Sequence, residues 1–484
     1  MIRVSNLKFR YGGEPVFDGV SFFVNKGEKV GLVGQNGSGK STLFRILAGI
    51  EAQDEGRIEM GGKIWLVPQE IRQDMLIDGA ESISDYLDLE KQHPEFELKQ
   101  MLAGMEMKRV KLTDLPINLS GGQKTKLAII KALLAQPEIL LLDEPTNFLD
   151  VNGKRWMFET LAKYPKTLLV VSHDLPLLNK TITKVLYINP QFRKIDEYVG
   201  NYDKFLKQKA EKEALIKRQI ETEKKHIAQM KESLVKSAGV KSSKGVRQRM
   251  NVKRRLEKME EMLPPMPAEA KKIKVVLPEP IWVGELPIFC ENISKSFGEN
   301  KVLSGVNLTI RRGERVVFLG PNGAGKSTLI KILLGVYEAD SGRVVRDAKL
   351  KTGYYTQELE NFDYGMKVLE TVRIKTSKSE AMIRPILAKF LFPFDKLEQK
   401  VGTLSGGEKT RLSIACLLLS DFNLLVLDEP TTYLDVLSQR LILEGLKEYK
   451  GAMILVSHNP EFVDEIAPRQ RLYLPENRIE VTTT

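Results

Sequence analysis

Apolar positions along this chain fall into two recurring patterns and one exception. Short, wholly apolar runs, Ile139-Leu140-Leu141-Leu142 and Leu424-Leu425-Val426-Leu427, each close on paired acids, Asp143-Glu144 and Asp428-Glu429. A run with no polar position leaves no face for water, so both predict central strands of a parallel sheet buried on both sides. The second pattern is an apolar run, Val30-Gly31-Leu32-Val33, then a glycine-rich turn, then helical spacing through Leu43-Phe44-Arg45-Ile46-Leu47. Both halves repeat this strand–turn–helix alternation, which predicts an α/β core with ligands at the carboxyl ends of the strands.

The exception runs from roughly Tyr202 to Leu263, where long, charged, helix-favouring residues carry a sparse apolar stripe. Ile216, Ile220, Ile227, Met230 and Leu234 fall at helical or heptad-like spacing, as do Val252, Leu256, Met259 and Leu263. Ser237-Ala238-Gly239 and Ser242-Ser243 interrupt the stripe. The pattern predicts two helices folded back on one another, with a turn near Gly239 and an exit at Pro264-Pro265.

The halves are copies. The glycine turn Gly34-Gln35-Asn36-Gly37-Ser38-Gly39-Lys40-Ser41 is matched by Gly320-Pro321-Asn322-Gly323-Ala324-Gly325-Lys326-Ser327, an offset of 286. Gln69 pairs with Gln357, Ser120 with Ser405, Asp143 with Asp428 and His173 with His458, at offsets of 288, 285, 285 and 285. Chance does not supply five matched motifs in order twice. At 484 residues the chain accommodates two such domains, 1–203 and 275–484, joined by a linker at 204–274.

Composition changes this picture in three ways. No apolar run approaches the ~18 residues of a membrane span, and Met1-Ile2-Arg3-Val4-Ser5-Asn6 lacks a signal-peptide pattern, so no fused membrane domain and a cytoplasmic location are expected. Cys290 and Cys416 are the only cysteines, which excludes a disulfide framework and a Cys-x-x-Cys metal site. The net charge of +11 belongs to the linker: Lys204 to Lys274 holds 21 Lys or Arg against 9 Asp or Glu, leaving 53 against 54 elsewhere.

In the glycine turns, residues without a Cβ let the backbone curl so that its N–H groups and the next helix N-terminus face phosphate oxygens. Lys40 and Lys326 then meet the β/γ-phosphates, Ser41 and Ser327 place a hydroxyl on Mg²⁺, and Thr42 and Thr328 follow in the first helical turn. Asp143 and Asp428 offer carboxylates to the metal. Glu144 and Glu429, one residue on, face elsewhere and fit activation of an attacking water.

Leu119-Ser120-Gly121-Gly122-Gln123 and Leu404-Ser405-Gly406-Gly407-Glu408 resemble the signature of ATP-binding-cassette ATPases. The resemblance implies ATP and Mg²⁺, with the signature of each cassette capping nucleotide held by the other. One composite site would join Lys40, Gln69, Asp143, Glu144 and His173 to Ser405, Gly406 and Gly407. The other would join Lys326, Gln357, Asp428, Glu429 and His458 to Ser120, Gly121 and Gly122. It further implies Gln69 and Gln357 at the metal, and His173 and His458 at the γ-phosphate. Tyr11 and Phe297, 286 apart, resemble the aromatic that stacks on adenine.

Asp143-Glu144-Pro145-Thr146-Asn147-Phe148-Leu149-Asp150 is close to the string typical of the ABC-F subfamily, soluble twin-cassette proteins that act on ribosomes. Both copies depart from it: Phe148 stands where the subfamily has histidine, and the second copy, ending at Asp435, has Thr432 and Tyr433 where the subfamily has asparagine and histidine. The linker adds to the resemblance: from Lys236 through Lys241, Lys244, Arg247, Arg249, Lys253 and Arg254 to Arg255 there are eight basic residues and no acidic one. RNA phosphates are the partner such a cluster draws, through counterion release with little sequence readout.

The resemblance therefore implies a monomeric ATPase whose cassettes pair intramolecularly, and whose linker binds the ribosome, its rRNA and a bound tRNA, to modulate translation or protect against antibiotics. The spacing from Gln69 to Ser120, 51 residues against 48 from Gln357 to Ser405, leaves no room for the arm some members insert, and no C-terminal coiled-coil extension is expected. Two rivals are the ATPase subunit of a membrane importer, which has no use for a basic hairpin, and a nucleic-acid repair or structural ATPase.

Overall fold

The computed structural model describes residues 1–35, 37–69, 77, 79–88, 92–147, 149–236, 243–261, 277–355, 362–376, 378–390, 392–404, 406–430, 436–457 and 459–482, except the side chains of 233–236, 243–249, 260–261, 406–407, 436–438, 440–441 and 461. Two compact units form, one of Met1–Leu66, Pro137–Leu141 and Tyr164–Lys272, the other of Val67–Gln136, Leu142–Lys163 and Ile273–Thr484.

Each half of the sequence builds the same six-stranded sheet. In the first, the strand order is Ile64–Val67, Ile139–Asp143, Thr167–Val171, Lys29–Val33, Lys184–Asn189 and Lys194–Val199. In the second it is Thr352–Tyr355, Leu424–Asp428, Ala452–Val456, Arg315–Leu319, Gln470–Tyr473 and Arg478–Val481. The last pair of each sheet is antiparallel, whereas Lys29–Val33 and Arg315–Leu319 lie between parallel neighbours. All five residues of Ile139–Asp143 and of Leu424–Asp428 are buried, as unbroken apolar runs require.

A three-stranded antiparallel sheet accompanies each, Glu14–Val24, Ile2–Tyr11, Glu55–Met60 in the first half and Asn300–Ile310, Ile288–Phe297, Ser341–Arg346 in the second. Their alternating inward residues close the cores. Leu7, Phe17 and Val20 pack with Phe44, Leu47, Leu141 and Leu186. Ile293, Leu303 and Val306 pack with Leu329, Leu333, Val426 and Leu472.

The linker forms the expected pair of helices, Tyr202–Lys236 and Ser243–Glu261, which pack on one another. Ile220, Ile227 and Leu256 are buried, and Ile216, Met230, Val252 and Met259 are half-buried, so one stripe faces the partner helix. The predicted turn near Gly239, the side chains of Leu234 and Leu263, and Pro264-Pro265 lie outside the described residues. Among the described residues no helix is long and apolar enough to cross a membrane.

The root of the hairpin is fastened to its own sheet. Phe205, 2% exposed, meets Tyr187, Tyr198 and Tyr202 at ring-centroid distances of 5.5, 5.1 and 5.5 Å. Lys209 lies over the Tyr187 ring, and Lys212 pairs with Asp196 at 2.9 Å. Asn201 caps the helix by accepting from the Lys204 N–H at 3.1 Å. Replacing Phe205 with Ala removes the centre of this cluster. It is expected to cost about 3 kcal/mol in urea unfolding and to speed proteolysis near Tyr202.

Candidate nucleotide-binding site

Strand Arg315–Leu319, held between parallel neighbours, ends at Gly320, and helix Lys326–Leu333 begins six residues later. The turn between them demands glycine. Gly320 has φ 144°, and a Cβ there would lie 2.2 Å from the Leu474 carbonyl oxygen. Gly325, at φ 92°, would bring one within 2.8 Å of Leu303 Cδ2.

Lys326, only 8% exposed, folds back over this turn, its Nζ donating to the carbonyls of Gly320 at 2.8 Å and Pro321 at 2.9 Å. Burial pushes its pKa down, while Glu429, Asp428, Asp150 and Glu106 pull it back up. The Ser327 hydroxyl donates to the Asp428 carboxylate at 2.8 Å. Burial raises the Asp428 pKa against the opposing pull of Ser327 and Lys326. A hydroxyl and a carboxylate converging beside a buried ammonium form the hard-oxygen donor set that Mg²⁺ takes next to phosphates. The residues present fit that ion.

Glu429 follows with φ 51°, a left-handed backbone uncommon outside glycine, and its N–H donates to Val456 across the strand end. Glu144 has the same φ of 51° in the first half. Identical strain at the same strand end marks a carboxylate turned out of the strand's alternation for use.

The first half repeats the loop. Lys40 donates to Gly34 and Gln35 at 3.0 and 3.2 Å, and Gly39, φ 96°, would place a Cβ 2.6 Å from Val16 Cγ1. Gly34 is packed against Ser38 and Gly37 also has positive φ. Asp143 and Glu144 are buried at their strand end, Gln69 is half-buried just after Ile64–Val67, and His173 is half-buried after Thr167–Val171. Tyr11 and Phe297 lie at the ends of equivalent strands, 47% and 48% exposed, with Phe9 edge-on to Tyr11 and Lys295 over the Phe297 ring. The Tyr11 hydroxyl is held by Glu51 at 2.7 Å.

Ser120 caps helix Gly121–Ala135 through a capping box with Gln123, and open space surrounds Gly121. In the second signature Glu408 instead pairs with Lys396. Asn36, Gln357, Ser405, Asp435 and His458 lie outside the described residues, as do Phe148, Thr432, Tyr433 and Lys241. Gly406 and Gly407 open their helix, and the side chains of Lys236, Lys244, Arg247 and Arg249 fall outside the description. Lys253, Arg254 and Arg255 are exposed on the second linker helix.

Two features escape a motif reading. Asn179, on the helix Leu175–Lys180 that starts two residues after His173, accepts from the Asp203 N–H at 3.0 Å and so touches the linker root. Asp150 is gripped by Glu106. Neither Asn179 nor Glu106 belongs to a recurring string. The only signal for Glu106 was its mismatch with Leu391 at the 285 offset.

The family model described as ABC transporter matches residues 17–147 and again 303–432, and a second model so described matches 189–275. The chain is 31% identical to ABC transporter F family member 5 of Arabidopsis thaliana, covering 97% of this chain and 74% of that protein. It is 31% identical to ATP-binding protein Uup of Haemophilus influenzae, covering 98% and 78%. Among solved structures, the complex of archaeal ribosomal stalk protein aP1 with ribosome recycling factor aABCE1 matches with TM-score 0.66 over 97% of this chain and 87% of that one, at 22% identity. That likeness is one of fold.

Lys326→Ala removes the ammonium from one loop and leaves Lys40 in the other. Equilibrium dialysis with a non-hydrolysable ATP analogue is expected to give one bound nucleotide per chain instead of two.

Proposed function

Because this chain belongs to the F family of ATP-binding-cassette ATPases, we propose that it spends ATP hydrolysis on positioning its basic hairpin against ribosomal RNA. The ATPase activity itself follows from family membership and from both loops. In each cassette the loop N–H groups and Lys40 or Lys326 would hold the β/γ-phosphates, and Ser41 with Asp143, or Ser327 with Asp428, would hold Mg²⁺, which would supply positive charge to those phosphates. Glu144 and Glu429 orient the attacking water and accept its proton.

The family resemblance implies composite sites, each signature completing the other cassette's loop. In keeping with that reading, Asp150 and Lys326 belong to one compact unit, and Asp150 is among the acids that raise the Lys326 pKa against the effect of burial. Nucleotide bridging both halves favours the closed arrangement, a population shift rather than a new fold.

The observation that carries the output is the fastening at the hairpin root. Helix Leu175–Lys180, following His173, bonds through Asn179 to the start of Tyr202–Lys236, so the γ-phosphate switch and the hairpin share one mechanical element. The basic residues from Lys236 to Arg255 then meet RNA phosphates, and the ribosome is the RNA-bearing partner that family membership favours. The division at 203/204 and 274/275 follows from the sequence repeat. Modulation of translation or protection from antibiotics is the finer role, read by growth under ribosome-targeting drugs.

Glu144→Gln with Glu429→Gln is expected to slow hydrolysis more than about 100-fold and to hold the ATP-bound protein on ribosomes in cosedimentation. Cosedimentation no better with ATP than without nucleotide would overturn the coupling.

A further inference from the structure

Three titratable residues act on one another in the helical part of the first cassette. Lys126 lies on helix Gly121–Ala135, Glu106 in the turn after helix Glu95–Gly104, and Asp150 just before helix Val151–Lys163. Lys126 is 7% exposed, Asp150 3%, and Glu106 is half-buried. The Glu106 carboxyl hydrogen-bonds the Asp150 side chain, and its Oε2 accepts from the Asp150 N–H at 3.4 Å. Asp150 Oδ1 in turn accepts from Asn152 and Gly153 at 2.9 and 3.2 Å, capping the helix it precedes.

The local backbone is shaped around this contact. Glu106 adopts φ 60°, and a Cβ on Gly153 would come within 3.3 Å of Glu106 Cδ. At the 285 offset the sequence has Leu391 for Glu106 and Ser438 for Gly153, so neither residue of this pair recurs there.

We propose that Glu106 is a positioning residue that holds Asp150 in place to serve the site built on Lys326. The inference rests on the composite-site reading above. Burial and Asp150 push the Glu106 carboxyl up to about 7, with Lys126 pulling the other way, and Lys326 feels both acids. Two carboxylates in contact resist ionising together. Below about pH 7 Glu106 keeps its proton and donates it to Asp150. Above it the two charges repel and the tether loosens.

The test is the pH profile of steady-state ATP hydrolysis, from about pH 6 to 9, for the full chain and for Glu106→Gln and Glu106→Leu. In the parent, kcat falls as pH rises through about 7. Glu106→Gln, whose amide donates to Asp150 and accepts from its N–H at every pH, keeps its rate on the alkaline side. Glu106→Leu loses about tenfold in kcat on the acid side, with KM little changed, and its rate no longer falls as pH rises through about 7. Superimposable parent and Glu106→Gln profiles overturn the tether. If Glu106→Leu does not fold by thermal melting, the Glu106→Gln profile decides alone. Wild-type hydrolysis by the Glu144→Gln, Glu429→Gln protein would instead overturn the catalytic reading, independently of either Glu106 variant.

Discussion

An ammonium group buried to within a tenth of full exclusion from water sits at the mouth of each glycine loop, and each cassette is arranged to make that tolerable. Lys40 and Lys326 are held by two loop carbonyls apiece, and Lys326 also lies in the field of acids at neighbouring strand ends. A cation held this way is compensated but not neutralised, so anionic phosphates complete the site at little reorganisation. The rest is scaffolding for that geometry. Parallel strands on both sides of Lys29–Val33 and Arg315–Leu319 aim the loop, and glycines at positive φ let its backbone turn where a Cβ would strike Val16 or Leu303.

From that anchor, effects travel along short covalent paths. The strand that ends in Asp143 or Asp428 carries the strained glutamate one residue on, at the same φ in both halves. The strand that ends before His173 continues into a helix whose Asn179 grips the hairpin root. Aromatic packing around Phe205 stiffens that joint. A basic hairpin rooted so firmly moves with its cassette instead of drifting as a charged tail.

Near-identity of the two halves makes their differences informative. Ser120 is capped through a neutral glutamine, whereas Glu408 of the second signature is drawn into an ion pair with Lys396. Asp150 shares its contact with Glu106, while Leu occupies the matching position 391. The duplicated motifs thus stand on different side-chain contacts in the two halves.

Much was legible in the chain alone. Apolar runs ending in acids specified buried parallel strands, because a strand without polar positions has nowhere to meet water. Glycine spacing around Lys40 and Lys326 specified phosphate loops, because few other sequences curl backbone N–H groups together, and an apolar stripe at helical spacing specified the hairpin from Tyr202. Those properties are local or periodic, so residue order determines them. The grip of Glu106 on Asp150, the bond from Asn179 to Asp203, and the cluster around Phe205 join residues 44, 24 and up to 18 positions apart with no recurring string. Side-chain direction, burial and a left-handed turn decide such contacts, and these exist only once the chain has packed.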